Sequence, residues 1–147
     1  MREILFVAGL PGSGKTTYLC QLCRDGWSIF DDFKANARCD SKKFRNARMF
    51  DELIKKLHDG LPVAVADIDF CNRESRDEAE SVLREEIPDT EIQWCFFAHD
   101  VDACRKNIIR RDRPSRQDEL AKLCEYSSLY CIPVGACVRA IGGITDY

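Results

Sequence analysis

The 147 residues carry 22 basic and 25 acidic side chains, a formal charge of −3, with 45% apolar and 10% aromatic content. That length suits one domain and that apolar share supplies its core, which excludes disorder as the default. The acidic balance argues against gripping extended nucleic acid by charge alone, and no apolar stretch nears the ~20 residues of a membrane-spanning helix.

Arg2 and Glu3 lead straight into an apolar run, leaving no room for a leader segment, so the sequence reads as cytoplasmic. Arg2 to Leu10 predicts a buried strand, and Gly9 to Thr16 turns into a helix running to about Arg24, where Asp25 and Gly26 stop it. Trp27 to Phe33 predicts a short second strand ending at Asp31 and Asp32. A helix follows with Phe50, Leu53, Ile54 and Leu57 at helical spacing, closed by Gly60. Leu61 to Phe70 predicts a third strand, apolar from Val63 to Ala66 as in a strand covered on both faces. Ser75 to Ile87 predicts a helix, Glu91 to Ala98 a fourth strand, and Val101 to Arg111 a further helix. Leu120, Leu123, Ser127 and Tyr130 mark another helix, and Ala136 to Ile141 a fifth strand.

Strands alternating with helices predict an α/β fold of three α/β/α layers around a five-stranded, mainly parallel sheet. Residues 1–147 read as one domain, with a short helical lid at about 105–120. Ligands of such sheets bind beyond the carboxyl ends of the strands, where Gly9, Asp31, Asp67 and Ala98 are expected to meet. The nine cysteines are odd in number and mostly sit within apolar runs, so they read as reduced core thiols. Cys20 and Cys23 form one CxxC without the second half of a four-ligand zinc site.

Residues 9–16 read G-L-P-G-S-G-K-T, a full match to GxxxxGK[ST] placed after an apolar strand and before a helix. The backbone N–H groups of Gly9, Leu10, Pro11, Gly12, Ser13 and Gly14, proline excepted, can curl around phosphates at the positive end of the following helix. Lys15 reaches the β- and γ-phosphates, Thr16 offers a hydroxyl to Mg²⁺, and Thr17 touches the α-phosphate. The nucleotide expected is ATP.

Asp67 stands at the mouth of a central strand, where an acid holds Mg²⁺ through water, and Asp69 would share its side if the strand continued. Asp31 and Asp32 are adjacent, so only one points into the cleft while both are extended. Transfer to a hydroxyl needs a carboxylate to take its proton, distinct from the one that positions the metal. A run of basic residues follows, in which Arg110 and Arg111 lead as lid arginines, with Arg113 next. No NKxD, DxxG or LSGGQ segment occurs, which excludes Ras-like GTPases and transport ATPases.

Four segments carry a resemblance: G-L-P-G-S-G-K-T-T at 9–17, I-F-D-D-F-K at 29–34, A-D-I-D-F-C-N-R-E-S-R at 66–76 and C-R-K-N-I-I-R-R at 104–111. Together they resemble the small P-loop kinases that include the 5′-hydroxyl kinase domain of polynucleotide kinase and the zeta-toxin-like kinases. These belong to the P-loop containing nucleoside triphosphate hydrolase superfamily. The resemblance spans about residues 1–133, strongest at the loop. It implies that Asp31, with Asp32 beside it, is the base toward the acceptor, and that Asp67, Asn72 and Arg76 follow the third strand in functional roles. It also implies that Arg110 or Arg111 is the lid arginine. Asp69 departs from the small polar residue common there, and the short segment from Lys34 to Gly60 leaves little room for an acceptor-binding domain.

The expectation is therefore an ATP-binding, Mg²⁺-dependent kinase. It would move phosphate to a hydroxyl of a small molecule or nucleic-acid end, with Asp32, Asp69 and Arg76 as acceptor contacts. Rival readings are an NTP-hydrolysing switch and a nucleotide-binding protein without turnover.

Overall fold

The computed structural model describes residues 2–34 and 43–142. At its centre the strand β1 (Glu3–Ala8) divides its apolar side chains between two cores, as strict alternation along a strand requires. Ile4, Phe6 and Ala8 join Val63, Val65 and Phe70 on one face. Leu5 and Val7 join Leu19, Ala64 and Ala66 on the other. This two-sided burial is why the strand reads as an unbroken apolar run.

The sheet is five-stranded and parallel in every pairing, in the order β2 (Ser28–Phe30), β3 (Val63–Ala66), β1, β4 (Glu91–Phe97), β5 (Val138–Arg139). Ile4 lies beside Val63 and Ile92, and Val7 beside Ala66 and Cys95. Helix α1 (Lys15–Arg24) covers the Leu5/Val7 face through Leu19, Tyr18 and Leu22. The opposite face is covered by α2 (Phe50–His58) and α3 (Arg73–Glu86) and, toward the carboxyl ends of the strands, by α4 (Val101–Arg111) and α5 (Arg116–Ser127). Because β1 is flanked by β3 and β4, the chain leaves it in opposite directions. This opens a crevice at the carboxyl ends, where the loop to α1 lies. Among the described residues no helix is long and apolar enough to cross a membrane.

Several elements are shorter than their sequence patterns. β2 stops at Phe30 because Asp31 accepts the Asp32 amide and Asp32 takes a left-handed φ of 48°, turning the chain. β3 stops at Ala66 because the Asp67 carboxylate accepts the Asp69 amide and caps a 3₁₀ turn, Ile68–Cys71. The expected strand to Phe70 therefore ends at Ala66, and the condition under which Asp69 would share the side of Asp67 is not met. α3 begins two residues earlier than expected, at Arg73, since the Asn72 side chain accepts the Glu74 amide. β5 holds only two residues of the expected six.

The thiols also depart from expectation. Cys71, Cys95 and Cys104 are buried, whereas Cys20, Cys23, Cys124, Cys131 and Cys137 are exposed, so core packing explains only the first three. Cys39 lies outside the described residues.

Candidate functional site

The loop between β1 and α1 is held in shape by two left-handed glycines, Gly12 at φ 82° and Gly14 at φ 103°. Gly12 has a second constraint, since a Cβ there would stand 2.5 Å from the Cys104 carbonyl oxygen. The loop thus rests directly on α4, a contact that only a residue without a side chain permits. Lys15 folds back over the loop and donates to the carbonyls of Gly9 at 2.6 Å and Leu10 at 3.0 Å. Burial pushes its ammonium below the usual lysine range, against the pull of Cys71, Asp31, Cys104 and Asp32. A cation in such surroundings gains from any anion that enters the loop.

Beside the loop, the Thr16 hydroxyl donates to Asp31 Oδ2 at 2.7 Å, and the Asp32 amide donates to Asp31 Oδ1 at 2.9 Å. The end of β2 is thereby brought against the first turn of α1. Burial first, and then the charge of Asp31, raises the proton affinity of Asp32, while Lys15 and Lys122 oppose the shift. The loop and this carboxylate pair line one cleft of about 600 Å³, whose far wall includes Arg111, Arg113, Glu119 and Lys122.

Of the arginines expected in a lid, Arg111 and Arg113 line this cleft, and Arg110 is exposed to solvent. The reason is helical spacing, because Arg111 continues the inward face of Cys104, Asn107 and Ile108. Its Nε and Nη2 are buried and have no hydrogen-bond partner, with Glu119 at 3.9 Å. Burial, and then the neighbouring Arg113 charge, pulls its proton affinity below the usual arginine value.

Other sequence-predicted residues lie elsewhere. Asp67 is 4% exposed, and its two oxygens accept the amides of Lys34 at 2.6 Å and Asp69 at 2.8 Å. Burial raises its proton affinity despite those bonds. Asp69 accepts from the Tyr126 hydroxyl at 3.1 Å and pairs with the buried Lys34 ammonium at 3.5 Å. Arg76 is buried under α3, where its guanidinium donates to the carbonyls of Phe70, Cys71 and Cys131 and lies over the Phe96 ring. It lines a separate cavity from the phosphate-loop cleft. Asn72 is the cap of α3.

Two contributors escape sequence reasoning. Asn107, 5% exposed, donates to the carbonyls of Gly12 at 2.9 Å and Gly142 at 2.8 Å. Its position three residues after Cys104 and four before Arg111 was the available signal. Lys34, with a 2% exposed side chain, lies between Asp69 and Glu78, and nothing in its polar surroundings in the sequence marks it as interior.

With this geometry in view, comparison with solved structures is informative. A gluconokinase from Sinorhizobium meliloti 1021 superposes with a TM-score of 0.59 at 18% identity, covering 96% of this chain and 83% of that one. A fungal RNA kinase gives 0.65 at 13% identity, covering 99% and 76%. A chain of the Pnkp1/Rnl/Hen1 RNA repair complex gives 0.55 at 20% identity, covering 98% of this chain, which spans about half (50%) of that one. No family model matches the chain, and no curated protein matches it in sequence. The chain therefore has a P-loop kinase-like fold.

Proposed function

We propose that the protein is an ATP-dependent kinase that moves the γ-phosphate to a hydroxyl of a small molecule or a nucleic-acid end. The observation that carries this reading is Arg111, with two buried guanidinium nitrogens that have no hydrogen-bond partner, on the same cleft as the Thr16–Asp31 pair and the phosphate loop. Buried donors without partners are costly, and a phosphoryl group between the two walls would satisfy them.

In this reading the loop amides and Lys15 hold the β- and γ-phosphates, Lys15 exchanging its two carbonyl partners for phosphate oxygens. Asp31, oriented by Thr16, accepts the proton of the acceptor hydroxyl as its oxygen bonds to the γ-phosphorus. The bond from that phosphorus to the β–γ bridging oxygen breaks, and ADP leaves. Arg111 stabilises charge on the equatorial oxygens. Asp32 is the acceptor contact the geometry favours, since Asp69 is engaged by Tyr126 and Lys34, and Arg76 by carbonyls.

The donors fit a hard divalent cation that keeps much of its water. They are the Thr16 hydroxyl on the cleft and the Asp67 carboxylate, which would act only through water because each of its oxygens already accepts an amide hydrogen. When bound, Mg²⁺ would neutralise charge on the phosphates. Among the described residues no three His, Cys, Asp or Glu side chains cluster for a protein-only metal site.

The test is incubation of the protein with γ-labelled ATP, Mg²⁺ and a metabolite and oligonucleotide pool. Label appearing in an organic product is the expected result. Label passing only to inorganic phosphate would overturn the kinase reading in favour of a hydrolysing switch.

A further inference from the structure

The face of the sheet that α1 covers is left open toward β5, and there a groove of about 540 Å³ is lined by Cys95, Cys137, Tyr18, Arg139 and Trp27, among others. The two cysteines are neighbours by strand register. Phe96 pairs with Val138, and the Phe96 amide donates to the Cys137 carbonyl at 3.0 Å, which sets Cys95 beside Cys137. Residues side by side on parallel strands point to the same face, and strands are spaced by about 4.8 Å. That spacing falls within the roughly 4.4–6.8 Å Cα separation that a disulfide spans. β5 is an edge strand of two residues, so the adjustment that brings the two sulfurs into bonding distance moves little else.

The two thiols differ in access. Cys137 is exposed, whereas Cys95 is 4% exposed. Tyr18 shares the groove with Cys95, and the Arg139 guanidinium lies 4.2 Å above the Tyr18 ring. Tyr18 and Arg139 also line a second cavity, of about 140 Å³, together with Ser13, Gly14 and Thr17 of the phosphate loop and α1. One tyrosine and one arginine thus join the thiol pair to the loop.

We propose that Cys95 and Cys137 are an oxidation site, closed to an intramolecular disulfide by hydrogen peroxide, and that the closed form binds nucleotide more weakly. Peroxide oxidises the accessible Cys137 thiol to a sulfenic acid and releases one water. The Cys95 sulfur then bonds to the Cys137 sulfur, and the sulfenic oxygen leaves as a second water carrying the Cys95 proton. In sum, two thiols and one peroxide give one disulfide and two waters. Burial pushes the Cys95 thiol up to about 11, which makes Cys137 the point of entry and Cys95 the resolving thiol. Thiol reductants reopen the bond by thiol–disulfide exchange. The disulfide draws the edge strand β5 toward β4 and with it Arg139, whose guanidinium sits over the Tyr18 ring. The effect on nucleotide rests on the proposed function; formation of the disulfide does not.

The experiment treats the full chain with hydrogen peroxide, alkylates remaining thiols and maps cross-linked peptides by mass. ATP affinity is measured before oxidation, after it, and after reduction. The expected result is a Cys95–Cys137 peptide two hydrogens lighter than its reduced parts, together with an affinity loss of about tenfold, within the usual size of coupling between sites. Both disappear in Cys137→Ser and Cys95→Ser and reverse with a dithiol reductant. Oxidation confined to other cysteines, or a Cys137 that only advances to sulfinic acid, overturns the site. A Cys95–Cys137 bond that leaves ATP affinity unchanged overturns the coupling. A reduced protein that binds no ATP refutes the phosphate-loop reading instead, and leaves the cross-link result standing by itself.

Discussion

The Asn107 side-chain amide donates to the Gly12 carbonyl at 2.9 Å, tying the helix that carries Arg111 to the crest of the phosphate loop. Its second hydrogen reaches the Gly142 carbonyl at 2.8 Å, so one buried amide joins α4, the loop and the segment after β5. No glycine at position 12 could be replaced without driving a Cβ into the Cys104 carbonyl, which makes the amide and the close packing two halves of one joint.

Asn107→Ala removes both bonds and strands two carbonyls, for a cost of about 1–3 kcal/mol. Denaturant unfolding should show that loss. Phosphoryl transfer should fall further than ATP affinity, because Arg111 loses its anchor while no bond of Lys15 runs through Asn107. Equal losses in both would assign Asn107 to the loop alone.

Asp31→Asn keeps an oxygen for the Thr16 hydroxyl but cannot accept a proton. Turnover with an identified acceptor should fall by about 10²- to 10⁴-fold, the range for removal of a general base, with ATP binding nearly intact. Asp32→Asn should change the acceptor KM more than kcat. A reversal of these two patterns would move the base to Asp32, whose proton affinity is already raised by burial and by Asp31.

The sheet and its helices were legible because their apolar periods are long and agree with their flanking turns, as in Val63 to Ala66 and the α2 face. The loop was legible because its glycines and lysine follow a fixed spacing. Side-chain hydrogen bonds to the backbone were not. The two-residue alternation that aligned Asp67 with Asp69 failed when Asp67 captured the Asp69 amide and ended the strand. Arg76, by contrast, carried a readable signal, since with Ala79 and Leu83 it occupies the inward face of α3. Its interior role was obscured by reading a charged residue near a candidate site as a ligand contact. The sequence left Arg110 and Arg111 open, and the structure puts Arg111 on the inward spacing that continues from Cys104 along the face of α4 packed on the loop. The exposure of Cys137 could not be inferred, because the open face beside β5 depends on how few residues that strand holds.

Lys34→Met tests the support beneath the acceptor side. The lysine ammonium is buried between Asp69 at 3.5 Å and Glu78 at 3.8 Å, and its removal leaves both carboxylates without that cation. Loss of one member of a buried pair costs about 3–5 kcal/mol, and the lower end applies because both acids keep partial access to water. Thermal unfolding should register it. Lys34→Met combined with Asp69→Asn should recover part of the loss, and an additive double variant would show that the two groups do not interact.

Lys15 sets opposite pH dependences for stability and for binding. Its folded proton affinity lies below the ordinary value of 10.5, so between the two values the unfolded chain holds more protons, and the lysine's contribution to stability rises as pH climbs through that window. Cys71 and Cys104, pushed by burial from 9.0 to about 11, act with the reverse sign, because there the folded chain holds the extra protons. The difference between wild type and Lys15→Arg isolates the lysine, since arginine stays charged throughout. Nucleotide runs the other way: its phosphates require the ammonium, so affinity falls as pH climbs through the window and binding takes up a proton. Titration calorimetry at alkaline pH, in two buffers of different ionisation enthalpy, should record this uptake in the wild type and none in Lys15→Arg. Uptake of equal size in both would place the titrating group elsewhere in the cleft.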